Sequence, residues 1–154
     1  MARDVALTLL LTILPISELR GGIPLGISLG LDPVFTLCIA VIANGLVFFP
    51  IFFGLSLFYD RLLSRIPFFD RYLKSVRRKG KPKVEKYGFW GLLFFVAIPL
   101  PITGVYTATS LAWLLQIDRR KAFLPIAIGV VIAGVVVLLA TLGVVEVFRI
   151  FVKT

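Results

Sequence analysis

The sequence contains no histidine, one cysteine and few charged residues. Without histidine, histidine-based metal sites, acid–base catalysis and catalytic triads are excluded. A single cysteine, Cys38, excludes an internal disulfide bond, and its apolar surroundings suggest a small core residue. No Walker A sequence is present, and Gly21, Gly22 and Gly26 lack the G-x-G-x-x-G spacing of dinucleotide-binding loops. With no nucleophile–base pair or metal cluster visible, we expect neither enzymatic activity nor a cofactor.

Apolar residues dominate what is present. They make up 59% of the 154 residues, above the roughly 45–50% of soluble domains, and the mean hydropathy is +1.02. Only 16% of the residues are charged. We therefore predict an all-α integral membrane protein whose residues 1–154 form a single domain.

Two apolar segments, residues 34–59 and 122–148, are long enough for the roughly 20 residues that a spanning helix needs. Pro50 and Pro125 should kink these helices or lie near an end. Two other apolar segments, residues 5–14 and 89–98, are too short to span and are more typical of re-entrant or interfacial helices.

Each short segment runs into helix-breaking residues and is followed by a second apolar piece, residues 23–31 or 106–117. Such pairs predict two re-entrant helical hairpins that enter the membrane and return to the same side. We place the break of the first hairpin at Gly21-Gly22 with Pro24, and that of the second at Pro99, Pro101 and Gly104.

The order of these segments repeats along the chain. At an offset of 86 residues, LPIS at 14–17 aligns with LPIT at 100–103, and Leu31-Asp32 aligns with Ile117-Asp118. We predict two repeats, 5–59 and 89–148, each a hairpin followed by one transmembrane helix. Because each repeat crosses the membrane once, the repeats are inverted, as in many secondary transporters. Asp32, Asp118 and Glu146 should be helix caps or interface residues.

Basic residues fix the predicted orientation. The linker 60–88 carries ten lysines and arginines against three acids, so the positive-inside rule places it in the cytoplasm and both termini outside. Its mixture of apolar and basic residues predicts an amphipathic segment on the inner leaflet, acting as an orientation anchor or binding anionic lipids. We do not expect nucleic acid as a partner.

The first hairpin carries two charges in an apolar setting, Glu18 and Arg20, beside Ser17. A charge at the bilayer centre costs about 2.5–3.5 kcal/mol on insertion scales. Two interpretations remain open. Glu18 and Arg20 form a structural pair that joins the hairpins, or Glu18 exchanges a coupling proton or cation while Arg20 holds an anionic group. A buried carboxyl has a raised pKa, which suits proton exchange.

The second hairpin has no charge but several hydroxyl groups. They belong to Thr103, Tyr106, Thr107, Thr109 and Ser110, and they either bond to nearby carbonyls or contact substrate. Asn44, in the first spanning segment, contributes an interhelical hydrogen bond or a substrate contact.

The motif PISELRGGIPLG (15–26) and the later FVAIPLPITGVYTATSLAWLL (95–115) resemble the small multidrug export proteins. That family is distantly similar to the DedA membrane proteins, which pair two re-entrant hairpins with spanning helices. The resemblance implies a transporter or, in the DedA branch, movement of polyprenyl-phosphate carriers or lipid scrambling, with Glu18 as the acid of the first hairpin. DedA-type second hairpins carry an arginine near the proline–glycine turn, and this chain has none there.

Three functions follow as hypotheses. The first is a proton- or sodium-coupled transporter with a site between opposed hairpin tips. The second is a DedA-type flippase or scramblase, and the third is a non-transporting scaffold. Because two spanning helices form a thin wall around polar tips, we expect a homodimer among membrane lipids.

Overall fold

The computed structural model describes residues 1–61, 67–99 and 104–152, and these residues form helices joined by short connections. The helices are α1 (Ala2–Ile13), α2 (Glu18–Ser28), α3 (Pro33–Leu46), α4 (Phe48–Arg61), α5 (Pro67–Ala97), α6 (Val105–Leu114) and α7 (Arg119–Val152). The all-helical class predicted from the sequence is confirmed for this part of the chain.

Two stretches are long and apolar enough to cross a membrane, by length and composition: Pro33–Tyr59 and Arg119–Glu146. They coincide with the two predicted spanning segments. Large apolar side chains such as Phe53, Leu57 and Leu139 are exposed along them. Exposed apolar surface of this extent is typical of helices that face lipid. Cys38 also lies on this exposed surface, so its assignment to the core was wrong.

The first spanning stretch is interrupted between α3 and α4. The backbone N–H of Val47 donates to the carbonyl of Asn44, three residues back, which is a tighter turn than an α-helix makes. Pro50 follows three residues later and has no N–H to offer the preceding turn. The kink expected from Pro50 is therefore present, slightly earlier in the chain. Pro125 lies in the second turn of α7, near the helix end, as predicted.

The break in the first hairpin is not where the sequence suggested. Gly21, Gly22 and Pro24 all lie inside α2, and the chain turns instead over residues 14–17. The glycines serve close packing between α1 and α2. A Cβ added at Gly22 would lie 3.0 Å from the Cβ of Thr12 and closer still to its hydroxyl.

The basic linker is not separate from the second hairpin. Helix α5 runs from Pro67 to Ala97 without a break at residue 88, where we expected the linker to end. At about 1.5 Å per residue, its 31 residues span about 46 Å. Helix α5 ends just before Pro99, and α6 begins after Gly104, as predicted for the second hairpin. Pro101 and Thr103 lie outside the described residues.

Positions that are 86 residues apart make equivalent hydrogen bonds at helix ends. Asp32 caps α3 by accepting from the Phe35 N–H, and Asp118 accepts from the Arg120 N–H at the start of α7. The C-terminal caps of α2 and α6 correspond as well. The bond from the Leu31 N–H to the Gly26 carbonyl is matched by one from Ile117 to Ala112.

The core lies between the α3–α4 stretch and helices α2, α5, α6 and α7. Fully buried side chains there include Ile23, Phe48, Val105 and Ile126. Phe48 packs against Phe123 with ring centroids 5.3 Å apart, whereas Leu37 and Val41 approach Gly134.

Residue numbers therefore rise along the α3–α4 stretch as they fall along α7, so this stretch and α7 are antiparallel. The contacts are also reciprocal, because the offset of 86 residues relates Leu37 to Phe123 and Phe48 to Gly134.

Candidate functional site

The turn between α1 and α2 is shaped by one proline and one hydroxyl. Pro15 has no N–H to donate to the carbonyl of Leu11, and the hydroxyl of Ser17 donates to that carbonyl instead. Glu18 follows with a φ of 46°, a left-handed conformation that L-residues rarely adopt. Ser17 therefore has a structural role at the turn, and the unusual backbone of Glu18 turns the chain into α2.

The carboxylate of Glu18 lies against the start of α6. It accepts from the backbone N–H of Tyr106 at 3.5 Å and also interacts with the N–H of Val105. A Cβ added at Gly104 would lie 2.6 Å from the carboxyl carbon of Glu18, so only glycine allows this approach. The first N–H groups of a helix have no partner within the helix and favour negative charge. Glu18 thus caps α6 from the other hairpin.

A second contact joins the two hairpins. The hydroxyl of Tyr106 donates to the carbonyl of Ile13 at the end of α1. The two contacts fix the tip of one hairpin against the beginning of α6. The structure thus brings Glu18, Gly104 and Tyr106 together.

Two further polar residues surround Glu18. Arg20 lies in α2 two residues after Glu18, and its positive charge attracts the Glu18 carboxylate. Asn44 is 1% exposed, and its side-chain amide interacts with the Glu18 carboxylate. Among the described residues, the Oδ1 of Asn44 has no partner. Asn44 therefore lies where α3 meets the start of α2.

These groups border one small cavity of about 10 Å³. Its lining comprises Glu18, Leu19, Arg20, Asn44, Val96, Pro99, Gly104, Ala133 and Val137. A volume near 10–15 Å³ is the lower limit for one water molecule. Five of the predicted site residues, Glu18, Arg20, Asn44, Pro99 and Gly104, therefore meet in one place.

Three of the predicted residues lie outside the cavity, on the side of α1. Ser17 faces the end of α1, and Gly21 and Gly22 pack against α1. Sequence reasoning did not identify Leu19, Val96, Ala133 and Val137, because nothing distinguishes an apolar residue facing a cavity from its neighbours in an apolar helix. The backbone carbonyl of Ile13 and the N–H of Val105 were missed as well. Pro15 was the available signal. A proline just after a helix has no N–H to donate to the preceding turn, so a carbonyl at the end of α1 is left without its usual partner.

Comparison with known families agrees with the resemblance of the two motifs. Residues 18–136 match the family described as "Putative small multi-drug export protein". The chain belongs to this family. The match begins at Glu18 and includes Arg20, Asn44 and Gly104, so the cavity of this small multi-drug export family member lies within the shared region, except for Val137.

Membership in an export family, together with two apolar helices, places the chain among membrane proteins, and the family is one of transport rather than of enzymes. No curated protein and no solved structure matches the chain.

Proposed function

We propose that the protein is a secondary transporter whose site lies where the tip of the α1–α2 hairpin meets the start of α6. The observation that carries the proposal is the contact of the buried Glu18 carboxylate with the N-terminus of α6. Broken helices that meet in this way form the substrate and ion sites of many secondary transporters. The family description as an export protein is consistent with this function.

The lengths of the hairpin helices support re-entrant hairpins. Helices α1 and α2 contain 12 and 11 residues, or about 18 Å and 17 Å at 1.5 Å per residue. Helix α6 is shorter still, with 10 residues. None of the three covers the roughly 30 Å of a hydrocarbon core. In the proposed arrangement, α1–α2 enters from outside and returns there, and α6 returns from the second hairpin.

Two observations favour inverted repeats. The antiparallel course of the α3–α4 stretch and α7 is the one that inversion requires, and the reciprocal contacts of Leu37 and Phe48 are those of a two-fold relation. The linker is then cytoplasmic and both termini are outside, in agreement with the basic residues of the linker. We further propose a homodimer, which would shield the site from lipid.

Within the site, Glu18 is proposed to exchange the coupling ion and Arg20 to attract an anionic group of the substrate. The left-handed backbone of Glu18 favours this role over that of a purely structural pair. Strained residues persist mainly where the surrounding structure holds them for function. The Tyr106 hydroxyl and Pro99 lie at the edge of the same site.

A second candidate function is the movement of lipids, as the DedA resemblance implies. An apolar groove of about 510 Å³ runs between α1 and the α3–α4 helices, lined in part by Leu9, Ile13, Ile42 and Leu46. It ends beside Ile13, whose carbonyl binds Tyr106. An acyl or prenyl chain in this groove would place its head group near the hairpin tip, where Arg20 lies.

Purified protein in liposomes separates these functions. Anilinonaphthalene sulfonate, an amphiphilic anion, serves as the probe for gradient-driven transport, and fluorescently labelled phosphatidylglycerol as the probe for lipid movement. Transport driven by a proton or sodium gradient supports the transporter. Lipid movement without a gradient supports the second candidate, and the absence of both leaves a non-transporting scaffold.

The substitution Glu18→Gln tests the role of the acid. We expect the variant to fold, because glutamine can still accept the Tyr106 N–H, and to lose ion-coupled transport and its pH dependence. The matched control is Glu146→Gln, which changes an exposed acid on α7 and should leave transport unchanged. Full activity of Glu18→Gln with an unaltered pH profile would remove Glu18 from the mechanism.

A further inference from the structure

Asn44 has a buried acceptor that the structure leaves unused. Its amide interacts with the Glu18 carboxylate, while its Oδ1 has no partner among the described residues. Buried polar groups are normally hydrogen-bonded. Because Asn44 lines the same cavity as Glu18, a half-turn of its amide would bring the unused acceptor to the carboxyl group of Glu18.

Among the residues that the structure describes, the surroundings of Glu18 do not suit a metal cation. From α6, backbone N–H groups of Val105 and Tyr106 point at its carboxylate, and from α2 the charge of Arg20 acts on it. Cation sites in transporters are built from freed carbonyls and helix C-termini, whereas helix N-termini favour anions. In addition, a cavity of about 10 Å³ has no room for a hydrated ion.

Few other titratable groups face Glu18. Helices α5 and α7 present the apolar residues Val96, Ala133 and Val137 to the cavity, and residues 99–104 contain no titratable side chain. The groups that can respond to pH at this place are therefore Glu18 itself and Tyr106, with Arg20 as the fixed positive charge.

We propose that the coupling ion is the proton and that Asn44 is the positioning residue that holds it on Glu18. This inference rests on the proposed transport function. When Glu18 is ionised, the amide nitrogen of Asn44 donates to the carboxylate. When a hydronium ion protonates the carboxylate, one of its O–H bonds breaks, the O–H bond of the acid forms and a water molecule is released. The amide then turns over and Oδ1 accepts the O–H of the acid, so that Asn44 is a hydrogen-bond partner of Glu18 in both protonation states.

Infrared difference spectroscopy of the full chain in liposomes tests the inference without any transport measurement. The C=O band of protonated Glu18 is identified by its loss in Glu18→Gln. We expect the band to titrate with pH and to be the same in sodium and potassium chloride. In Asn44→Leu the band should move to higher frequency, because the acid loses its hydrogen-bond partner.

The matched control is Thr109→Val, which removes the other buried side-chain oxygen without a partner, one that does not line the cavity. It should leave the band unchanged. If Asn44→Leu does not accumulate in membranes, Asn44→Ala is used instead, because it also removes the side-chain amide. A band that responds to sodium, or that keeps its frequency in the Asn44 variant, would overturn the inference.

The two proposals fail separately. If the band behaves as expected but no probe is transported, the role of Asn44 stands and the proposed transport function is wrong. If transport follows a sodium gradient and does not depend on pH, the transport function stands and the proposal that the proton is the coupling ion is wrong.

Discussion

At the scale of single residues, Glu18 combines two features that each lower the free energy of unfolding: a left-handed backbone and a buried carboxylate. Its left-handed backbone costs an L-residue about 1–2 kcal/mol, and its side chain is only 9% exposed. The N–H groups at the start of α6 and the amide of Asn44 offset part of this cost. A residue that only turned the chain would be replaced by glycine at lower cost, so the carboxylate itself is what this position requires.

Gly104→Ala should displace that carboxylate without unfolding the protein. The added Cβ would overlap the carboxyl group, which can move because it ends a flexible side chain. We expect a stability loss of about 1–3 kcal/mol, as for other overpacked sites, and at least a tenfold loss of coupled transport.

Gly91→Ala on α5, where an added Cβ meets nothing within 4 Å, is the control for Gly104→Ala. Thermal unfolding in detergent and liposome transport measure the two effects. Unchanged transport in Gly104→Ala would show that Glu18 is not needed at α6.

The principal polar residues of the site were predictable because they contrast with an apolar sequence. Glu18, Arg20 and Asn44 stand out as polar groups at membrane depth. Gly21 and Gly22 were misassigned because glycine serves two purposes, breaking a helix and letting helices approach. Without the partner helix, the sequence cannot distinguish them.

At the scale of helices, close packing of α1 on α2 depends on the pair Gly22 and Thr12. The substitution Gly22→Ala should destabilise the protein by about 1–3 kcal/mol, because its Cβ would also lie 3.2 Å from the backbone of Thr12. Thr12→Ala in the same chain should restore part of the loss, since it removes the hydroxyl nearest the new methyl group. A double-mutant cycle of thermal unfolding measures the coupling, and simple additivity would contradict the packing role.

The caps of α2 and α6 differ in the residue that adopts a positive φ. Gly30 has a φ of 84°, and Gln116, at the equivalent position, has a φ of 57°. Gln116→Gly should raise the free energy of unfolding by up to about 1 kcal/mol, because glycine carries no penalty in this conformation.

Gly30→Ala should lower the free energy of unfolding by about the same amount, although an added Cβ meets nothing within 4 Å. Chemical unfolding of the two variants checks this prediction. If both substitutions changed the free energy of unfolding in the same direction, side-chain contacts and not backbone conformation would determine the stability of the caps.

Helix positions followed from the sequence where apolar runs ended at prolines or aspartates, as at Asp32-Pro33 and Asp118. The length of α5 did not follow. Its composition changes at residue 88 from basic to apolar, and this change suggested a boundary between two segments. Lysine, arginine and glutamate are good helix formers, so the helix continues through the change.

At the scale of the whole molecule, cysteine labelling tests the proposed topology in the membrane. In a Cys38→Ser background, Ala2→Cys and Ser28→Cys should react with an impermeant maleimide from the same side, and Arg78→Cys from the other. These positions lie at the two ends of the first hairpin and in the exposed basic part of α5. Labelling of Ala2→Cys and Ser28→Cys from opposite sides would show that the first hairpin crosses the membrane.

The contact between Glu18 and Gly104 would set the stoichiometry of the proposed transport cycle. The two residues correspond at the offset of 86 and occupy one space, so a side chain on one excludes a side chain on the other. Each chain would accordingly load one elementary charge per turnover at this place, and the proposed dimer would carry two.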